Sequence, residues 1–290
     1  MRITQVSVLR SYLQNLGRLQ EELVAQEQRL ATGRRIERPS DDPVMLPTLL
    51  RIKQAKTETV RYQENAGHAL DWLQAAESVL QDAVDVVGRV RELVLRGANA
   101  TLDTSGREAL YREWEVLRSQ LLDLANTRHA GRYLFAGYRI DTAPFVRVGA
   151  TVQYNGDAGQ WLHEVDDNIQ VSANLPGDEV FLSLLNLMEQ LGPALQSGDP
   201  ALGDTLLQDL DGELDKLLAA QAQLGARVNQ LELLSERLLD REVALDELRS
   251  QLEDADLSRV IIRLKEAEAA YQAALQTGAR LIRATLLDYL

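Results

Sequence analysis

Cysteine is absent from the 290 residues, which removes disulfide staples, thiolate nucleophiles and every Cys-containing zinc site. Histidine occurs only at 68, 129 and 163, widely separated and with no second imidazole at metal-ligand spacing. Positive charge is scarce: 31 Lys+Arg stand against 44 Asp+Glu, a net charge of −13. A nucleic-acid partner is disfavoured because phosphate binding relies on clustered Lys and Arg, and an anionic membrane is disfavoured on the same grounds. No apolar run approaches the roughly 20 residues of a membrane span. Residues 1–30 hold no stretch of signal-peptide type, which favours a cytoplasmic chain unless secretion reads an uncleaved N-terminus. Phosphate-cradling Gly loops and nucleophile elbows are also missing, so neither an enzyme nor a bound cofactor is expected.

Proline is confined to positions 39, 43, 47, 144, 176, 193 and 200, leaving 48–143 and 201–290 free of the strongest helix breaker. Six of the 14 aromatic residues (Tyr133, Phe135, Tyr138, Phe145, Tyr154 and Trp161) fall between 133 and 163. The chain reads as helix, small non-helical insert, helix. Val6, Leu9, Leu13, Leu16, Leu23 and Leu30 recur at alternating steps of three and four, a narrow coiled-coil seam interrupted by Gln20 and Glu27. Gly33 suits the C′ position that ends this helix. Ser40, Asp41 and Asp42 before Pro43 form a helix-start signal, although Pro47 leaves open a restart there.

From Leu49 a second helix runs toward Asn99 on Ile52, Leu70, Leu73, Leu80, Val84, Val87 and Val94. Ser105 and Glu108 have capping-box spacing for a third, lined by Leu110, Trp114, Leu117, Leu121 and Leu124, which Gly131 can end. Residues 144–180 change period: Thr151–Tyr154 and Ile169–Leu175 read as strands, with Asn155-Gly156 and Pro176-Gly177 as turns. A short helix is expected over Val180–Leu191. Leu210, Leu217, Leu224, Leu231, Leu238, Leu245 and Leu252 then recur every seven residues, packing either within the chain or against a partner. After a phase break at Asp254–Asp256 a second seam follows on Leu257, Ile261, Leu264, Tyr271, Leu275, Ile282 and Tyr289. The two terminal seams suit one another. Each is marginal alone and is expected to order only against neighbours.

The fold class expected is mainly α: an elongated helical bundle with paired N- and C-terminal coiled-coil helices and a small β-rich insert. Its parts are a terminal helix (1–33), a helical hairpin (34–143), the insert (144–180), return helices (181–256) and the C-terminal helix (257–290). Trp72, Tyr111 and Trp114 sit in helical stripes and read as core. His163 beside Glu164, Asp166 and Asp167, and the acidic run Glu253, Asp254 and Asp256, read as exposed charge without a catalytic constellation.

Several blocks resemble flagellin and its relatives, the axial proteins of the bacterial flagellum. They are Arg29-Leu30-Ala31-Thr32-Gly33-Arg34-Arg35-Ile36 followed by Ser40-Asp41-Asp42, then Asn65 through Gln81, Arg89 through Val94 and Ala98 through Thr101. Near the other end come Leu224 through Glu232 and Glu253 through Asp256. Within that family the sequence is most similar to the hook–filament junction group, the hook-associated proteins of type 3. Pro43 directly after Asp41-Asp42, Arg132 through Tyr138 with Ala143-Pro144-Phe145, and the Met1-Arg2-Ile3-Thr4 start carry that preference. The resemblance covers roughly 1–145 and 205–290. It implies a structural role outside the cell, after export through the flagellar axis without a cleaved signal. Implied partners are hook-associated protein 1, flagellin, further copies of the chain and a flagellar export chaperone. Assembly would run through Val6, Leu9, Leu13, Leu16, Leu23, Leu30, Leu257, Ile261, Leu264, Tyr271, Leu275 and Ile282, with Gly33, Arg35, Ile36, Ser40, Asp41, Asp42 and Pro43 as the shared turn and cap. A filament-forming flagellin and a cytoplasmic coiled-coil scaffold are the alternatives.

Overall fold

The computed structural model describes residues 2–98 and 103–287, and the side chains of 7–98 and 103–279. Six α-helices lie among them: α1 (Arg2–Thr32), α2 (Leu46–Gly97), α3 (Thr104–Ala125), α4 (Ser183–Ser197), α5 (Thr205–Glu253) and α6 (Leu257–Leu287). Between α3 and α4 come three antiparallel two-stranded ribbons. They pair β1 (Arg128–His129) with β2 (Arg132–Tyr133), β3 (Phe145–Val148) with β4 (Thr151–Tyr154), and β5 (Leu162–Asp166) with β6 (Ile169–Ser172). A π-helical turn over Asp178–Leu182 leads into α4. The chain forms two compact units, one of residues 1–57 with 242–290 and one of residues 58–241. The long helices α2 and α5 contribute a stretch to each.

The larger unit has an apolar core drawn from its stretches of α2 and α5, from α3 and α4, and from the ribbons. Leu73, Leu80, Val87 and Val94 on α2 are wholly buried, as are Leu210, Leu217 and Leu231 on α5. Hydrogen bonds from Arg91 to Asp211 (2.6 Å) and from Gln221 to Gln81 (2.6 Å) step oppositely along the two helices, so these run antiparallel. The leucine heptads through Leu238 are therefore spent inside the chain. Trp114 lies deep in the same core, with Gly192 against its ring leaving no room for a Cβ. That glycine also precedes Pro193, which α4 carries without breaking: the clash between a proline ring and the preceding Cβ is absent. Hence α4 runs on to Ser197, beyond the Leu191 end expected, and begins at Ser183 after the π turn.

Other boundaries differ from expectation for identifiable reasons. Helix α2 begins at Leu46. Asp42 caps the turn before it, its Oδ1 accepting from Met45 N–H at 3.0 Å, and Pro47 occupies the first turn, where no N–H is required. Helix α3 is capped by Asp103, whose carboxylate accepts from Gly106 N–H at 2.8 Å, instead of by Ser105 and Glu108. It ends at Ala125 because Asn126 turns its amide to β3, donating to Phe145 O (2.9 Å) and accepting from Phe145 N–H (3.0 Å). Gly131 (φ +82°) and Ala130 (φ +49°) instead make the tight turn between β1 and β2. Strand structure thus starts at Arg128, before residue 144. The β3–β4 turn falls at Gly149-Ala150, not at Asn155-Gly156, which follows β4. Asn99, Ala100, Thr101, Leu102 and Tyr289 lie outside the described residues.

Candidate assembly surface

In the smaller unit α1 packs along α6. On α1 Tyr12, Leu16, Leu19 and Leu23 are among the half-buried residues, and Gln26 is buried; on α6 Val260, Leu264, Ala267 and Gly278 are buried and Tyr271 and Ala274 half-buried. Both sets step alternately by four and three, the signature of a coiled-coil seam. Tyr12 Oη donates to the Ala274 carbonyl at 2.7 Å, and a Cβ on Gly278 would run into the Tyr12 ring. Small residues at 267, 274 and 278 let the helices approach closely around that tyrosine.

The seams read from sequence share only alternate positions with this face. Leu16, Leu23, Leu264 and Tyr271 belong to it. Leu9, Leu13 and Leu30 on α1 and Leu257, Ile261 and Leu275 on α6 are exposed, with Leu13 57 % and Ile261 48 % accessible. Val8, Val24 and Ile262 are exposed as well. Val6 and Ile282 fall on the helices, but their side chains lie outside the described set. Gln20 and Glu27 are solvated as expected. Each terminal helix thus carries one apolar strip turned to its partner helix and a second turned to solvent. Sequence reasoning missed Tyr12, Leu19, Gln26, Ala267 and Ala274, although Tyr12, Leu19 and Gln26 are themselves seven residues apart.

Where α1 ends, the shared motif becomes a lock. Gly33 adopts φ +68° and its N–H bonds to Arg29 O. The chain then pairs with the end of α5, Arg35 N–H donating to Glu253 O at 2.6 Å and Ala255 N–H to Gly33 O at 2.8 Å. Ile36 is buried beside this bridge, while Arg35 reaches Leu252 O and Asp42. Asp41 accepts from Arg38 and Glu37 N–H groups, which hold its carboxyl below the usual range, and the Met45 N–H does the same for Asp42. Ser40 and Pro43 are exposed on this turn.

Glu253 corrects the expectation of an exposed acidic run. Its side chain is 1 % accessible and meets Lys53 at 2.7 Å, Arg34 at 3.3 Å and Arg249 at 3.3 Å. Burial alone would push its pKa up, but Lys53, then Arg249 and Arg34, hold it below the normal carboxylate value. Only Asp254 and Asp256 remain exposed.

In the larger unit the Arg132–Tyr138 stretch seats the insert. Leu134, Phe135 and Ala136 are buried, with Phe135 and Phe145 both edge-on to Phe181. Gly137 (φ +66°) lies so close to the Asp157 carbonyl that no Cβ fits. Tyr138 covers Gly159 and donates to Gln160 O at 2.8 Å. Tyr154 donates to Phe135 O, and burial pushes its phenol up to about 12. The charges around His163 are paired off: Glu164 with Arg61, Asp166 with Arg241, and Asp167 with the Tyr62 hydroxyl. Among the described residues no group of three His, Asp or Glu side chains is placed to share a metal ion, and no helix is long and apolar enough to cross a membrane.

The paired terminal helices of one unit and the helical body with its ribbon insert in the other have known counterparts. The profile of the bacterial flagellin N-terminal helical region matches residues 4–139, and that of the C-terminal helical region matches residues 207–290. The chain belongs to the bacterial flagellin family. Flagellar hook-associated protein 3 of Escherichia coli is 28 % identical over 305 aligned positions, spanning 94 % of this chain and 96 % of that protein. A flagellar filament core protein of Treponema maltophilum is 24 % identical, over 85 % of this chain and 84 % of its own. The crystal structure of flagellar hook-associated protein 3 from Legionella pneumophila superposes with a TM-score of 0.63 at 21 % identity, covering 69 % of this chain and 98 % of that one. The flagellin-family helices at both ends are those whose outer strips face solvent.

Proposed function

We propose that this chain is a structural subunit of the bacterial flagellum, the adaptor that joins the hook, through hook-associated protein 1, to the flagellin filament. The observation that carries the reading is the double use of the terminal helices. One strip of each pairs α1 with α6; the other, on Leu9, Leu13, Leu30, Leu257, Ile261 and Leu275, is left for neighbouring subunits. Nine exposed large apolar side chains on two helices form a surface that association would remove from water. Similarity over nearly the full length to a type 3 hook-associated protein favours the junction over the filament, as does Pro43 after the Asp pair.

Export without a cleaved signal, a location outside the cell and an export chaperone belong to the same reading, as do flagellin and further copies of the chain as neighbours. Absence of Cys suits a chain that crosses into an oxidising medium. The role is packing rather than catalysis. The test is to salt out purified protein with and without short filament seeds, and to add it to isolated hook ends. Binding to hook ends, support of flagellin growth there and failure to polymerise alone are expected. Long filaments from the protein alone would make it a flagellin instead. Failure of both would return the cytoplasmic scaffold.

A further inference from the structure

The three histidines, 34 or more residues apart in the chain, come together in the larger unit. His68 of α2, His129 of β1 and His163 of β5 all line one cleft of about 770 Å³, with Trp72 and Trp161 in its wall. Trp72 meets Trp161 at 4.9 Å between ring centroids and is edge-on to His129 at 5.7 Å. The cleft therefore lies where the β5–β6 ribbon and the segment leading into it rest on α2 and on the β1–β2 turn.

We propose that His163 is an acid-sensitive latch: uncharged, it seats the β5–β6 ribbon in the aromatic cleft, and protonated, it loosens that ribbon while the helical body stays folded. The charged and titratable groups around it set the direction. From α2 come His68 and Asp71, from the β1–β2 turn His129 and Arg132; its cross-strand partner on β6 is Val171. The ribbon's own carboxylates are engaged elsewhere: Glu164 with Arg61, Asp166 with Arg241 and Asp167 with Tyr62. Asp71 is the one carboxylate lining the cleft, against Arg132 and two further imidazoles. A proton on His163 enters a half-buried site walled by indoles and already carrying positive neighbours. Burial, and then the charge on His68, depress its pKa. The unfolded ribbon thus binds the proton more readily than the seated one. Stability that is full above the unfolded imidazole value near 6.5 is lost as the pH falls through the lower folded value.

Asp166 is held low by the Arg241 hydrogen bond, and the Asn65 amide donates to Glu164 O at 2.7 Å whatever the pH. The expected change is therefore local.

The experiment is hydrogen exchange on the full chain between pH 7.5 and 5.5, corrected for the intrinsic rate. Amides of 162–172 are compared with those of α3. Ribbon exchange should rise by roughly threefold or more on acidification while α3 holds, and the rise should vanish in His163→Gln. An unchanged ribbon in the parent chain, or the same rise in the variant, overturns the latch. So that a poorly folded variant cannot decide the matter, the parent's own His163 resonance is titrated by NMR: a midpoint at or above that of an unfolded-chain histidine also overturns it.

Discussion

Replacing Leu13 by Glu separates the two faces of the terminal helices. Leu13 is 57 % exposed in the lone chain, so a carboxylate there stays hydrated and should change the stability of the free protein by no more than about 0.5 kcal/mol. Covering the remaining half of a leucine side chain contributes about 1 kcal/mol to an assembly. Enclosing an unpaired carboxylate in its place costs about 2 kcal/mol more, even with partial access to water. The total of roughly 3 kcal/mol corresponds to a weakening of subunit association by about 100-fold. Leu264→Ala is the control from the inner face. Leu264 is 8 % exposed against α1, and its truncation should cost the helix pair about 2 kcal/mol, the low end for Leu→Ala because a two-helix seam can partly close over the gap. Chemical denaturation followed by circular dichroism reads the first quantity, and sedimentation of hook-bound protein reads the second. The reasoning is refuted if Leu13→Glu destabilises the free chain as much as Leu264→Ala does, or if it binds hook ends with parental affinity.

Glu253→Gln should open the lock between α1 and α5, seen as faster tryptic cleavage at Arg34 and Arg35. The loss should be about 1–2 kcal/mol rather than the full cost of breaking a buried pair, because Arg34 and Lys53 remain 50 % and 40 % accessible and can rehydrate. Since the folded pKa of Glu253 is depressed, its contribution is present above the unfolded value near 4.5 and is lost as pH falls through the folded one. The parent lock should therefore weaken below about pH 4.5, and the variant should lack that component in a pH series of amide exchange at Arg35 and Ala255. Gly137→Ala combines φ +66° with a Cβ driven into the Asp157 carbonyl, and should lower stability by about 2 kcal/mol or more in a denaturant titration of the larger unit. Leu217→Ala, wholly buried on α5, should cost about 3 kcal/mol by the same measure. In the free monomer, amides of α1 before Gly33 should exchange far faster than those of α2 between 66 and 94, because a single partner helix covers them; equal protection would count against ordering by neighbours.

The order of elements was legible because it rests on strong periodic signals: heptad leucines that pack as Leu210 through Leu238, a strand at Thr151–Tyr154, and Gly33 at the one positive φ that ends α1. Helix ends were less legible where the decisive contact is distant in sequence. Asn126 ends α3 by bonding to Phe145, and Pro193 stays within α4 because Gly192 gives it room, neither of which a local window reveals. The β1–β2 ribbon was missed because two-residue strands carry no alternation to detect. Glu253 was misread because Lys53 of α2 and Arg34 after α1, both distant in sequence, close over it beside Arg249 of its own helix.

The seam phase is the most instructive of these differences. On α1 two heptad strips share Leu16 and Leu23 and diverge at the other positions, one taking Tyr12, Leu19 and Gln26 and the other Leu9, Leu13, Gln20, Glu27 and Leu30. Counting leucines favours the second strip, with Leu9, Leu13 and Leu30 against Leu19, because a buried seam can use Tyr12 and Gln26 where such a count rewards leucine. On α6 the inner strip is Val260, Leu264, Ala267, Tyr271, Ala274 and Gly278, chosen for close approach, and the larger Leu257, Ile261, Ile262 and Leu275 are turned outward. A chain that needed only to fold would gain by turning those larger groups in. Their placement outside, at the solubility cost that exposed apolar groups bring, is what separates a subunit built for assembly from a self-sufficient bundle. The same count that misplaced the intramolecular contact picked out Leu9, Leu13, Leu30, Leu257, Ile261 and Leu275, the exposed side chains proposed above to meet neighbouring subunits.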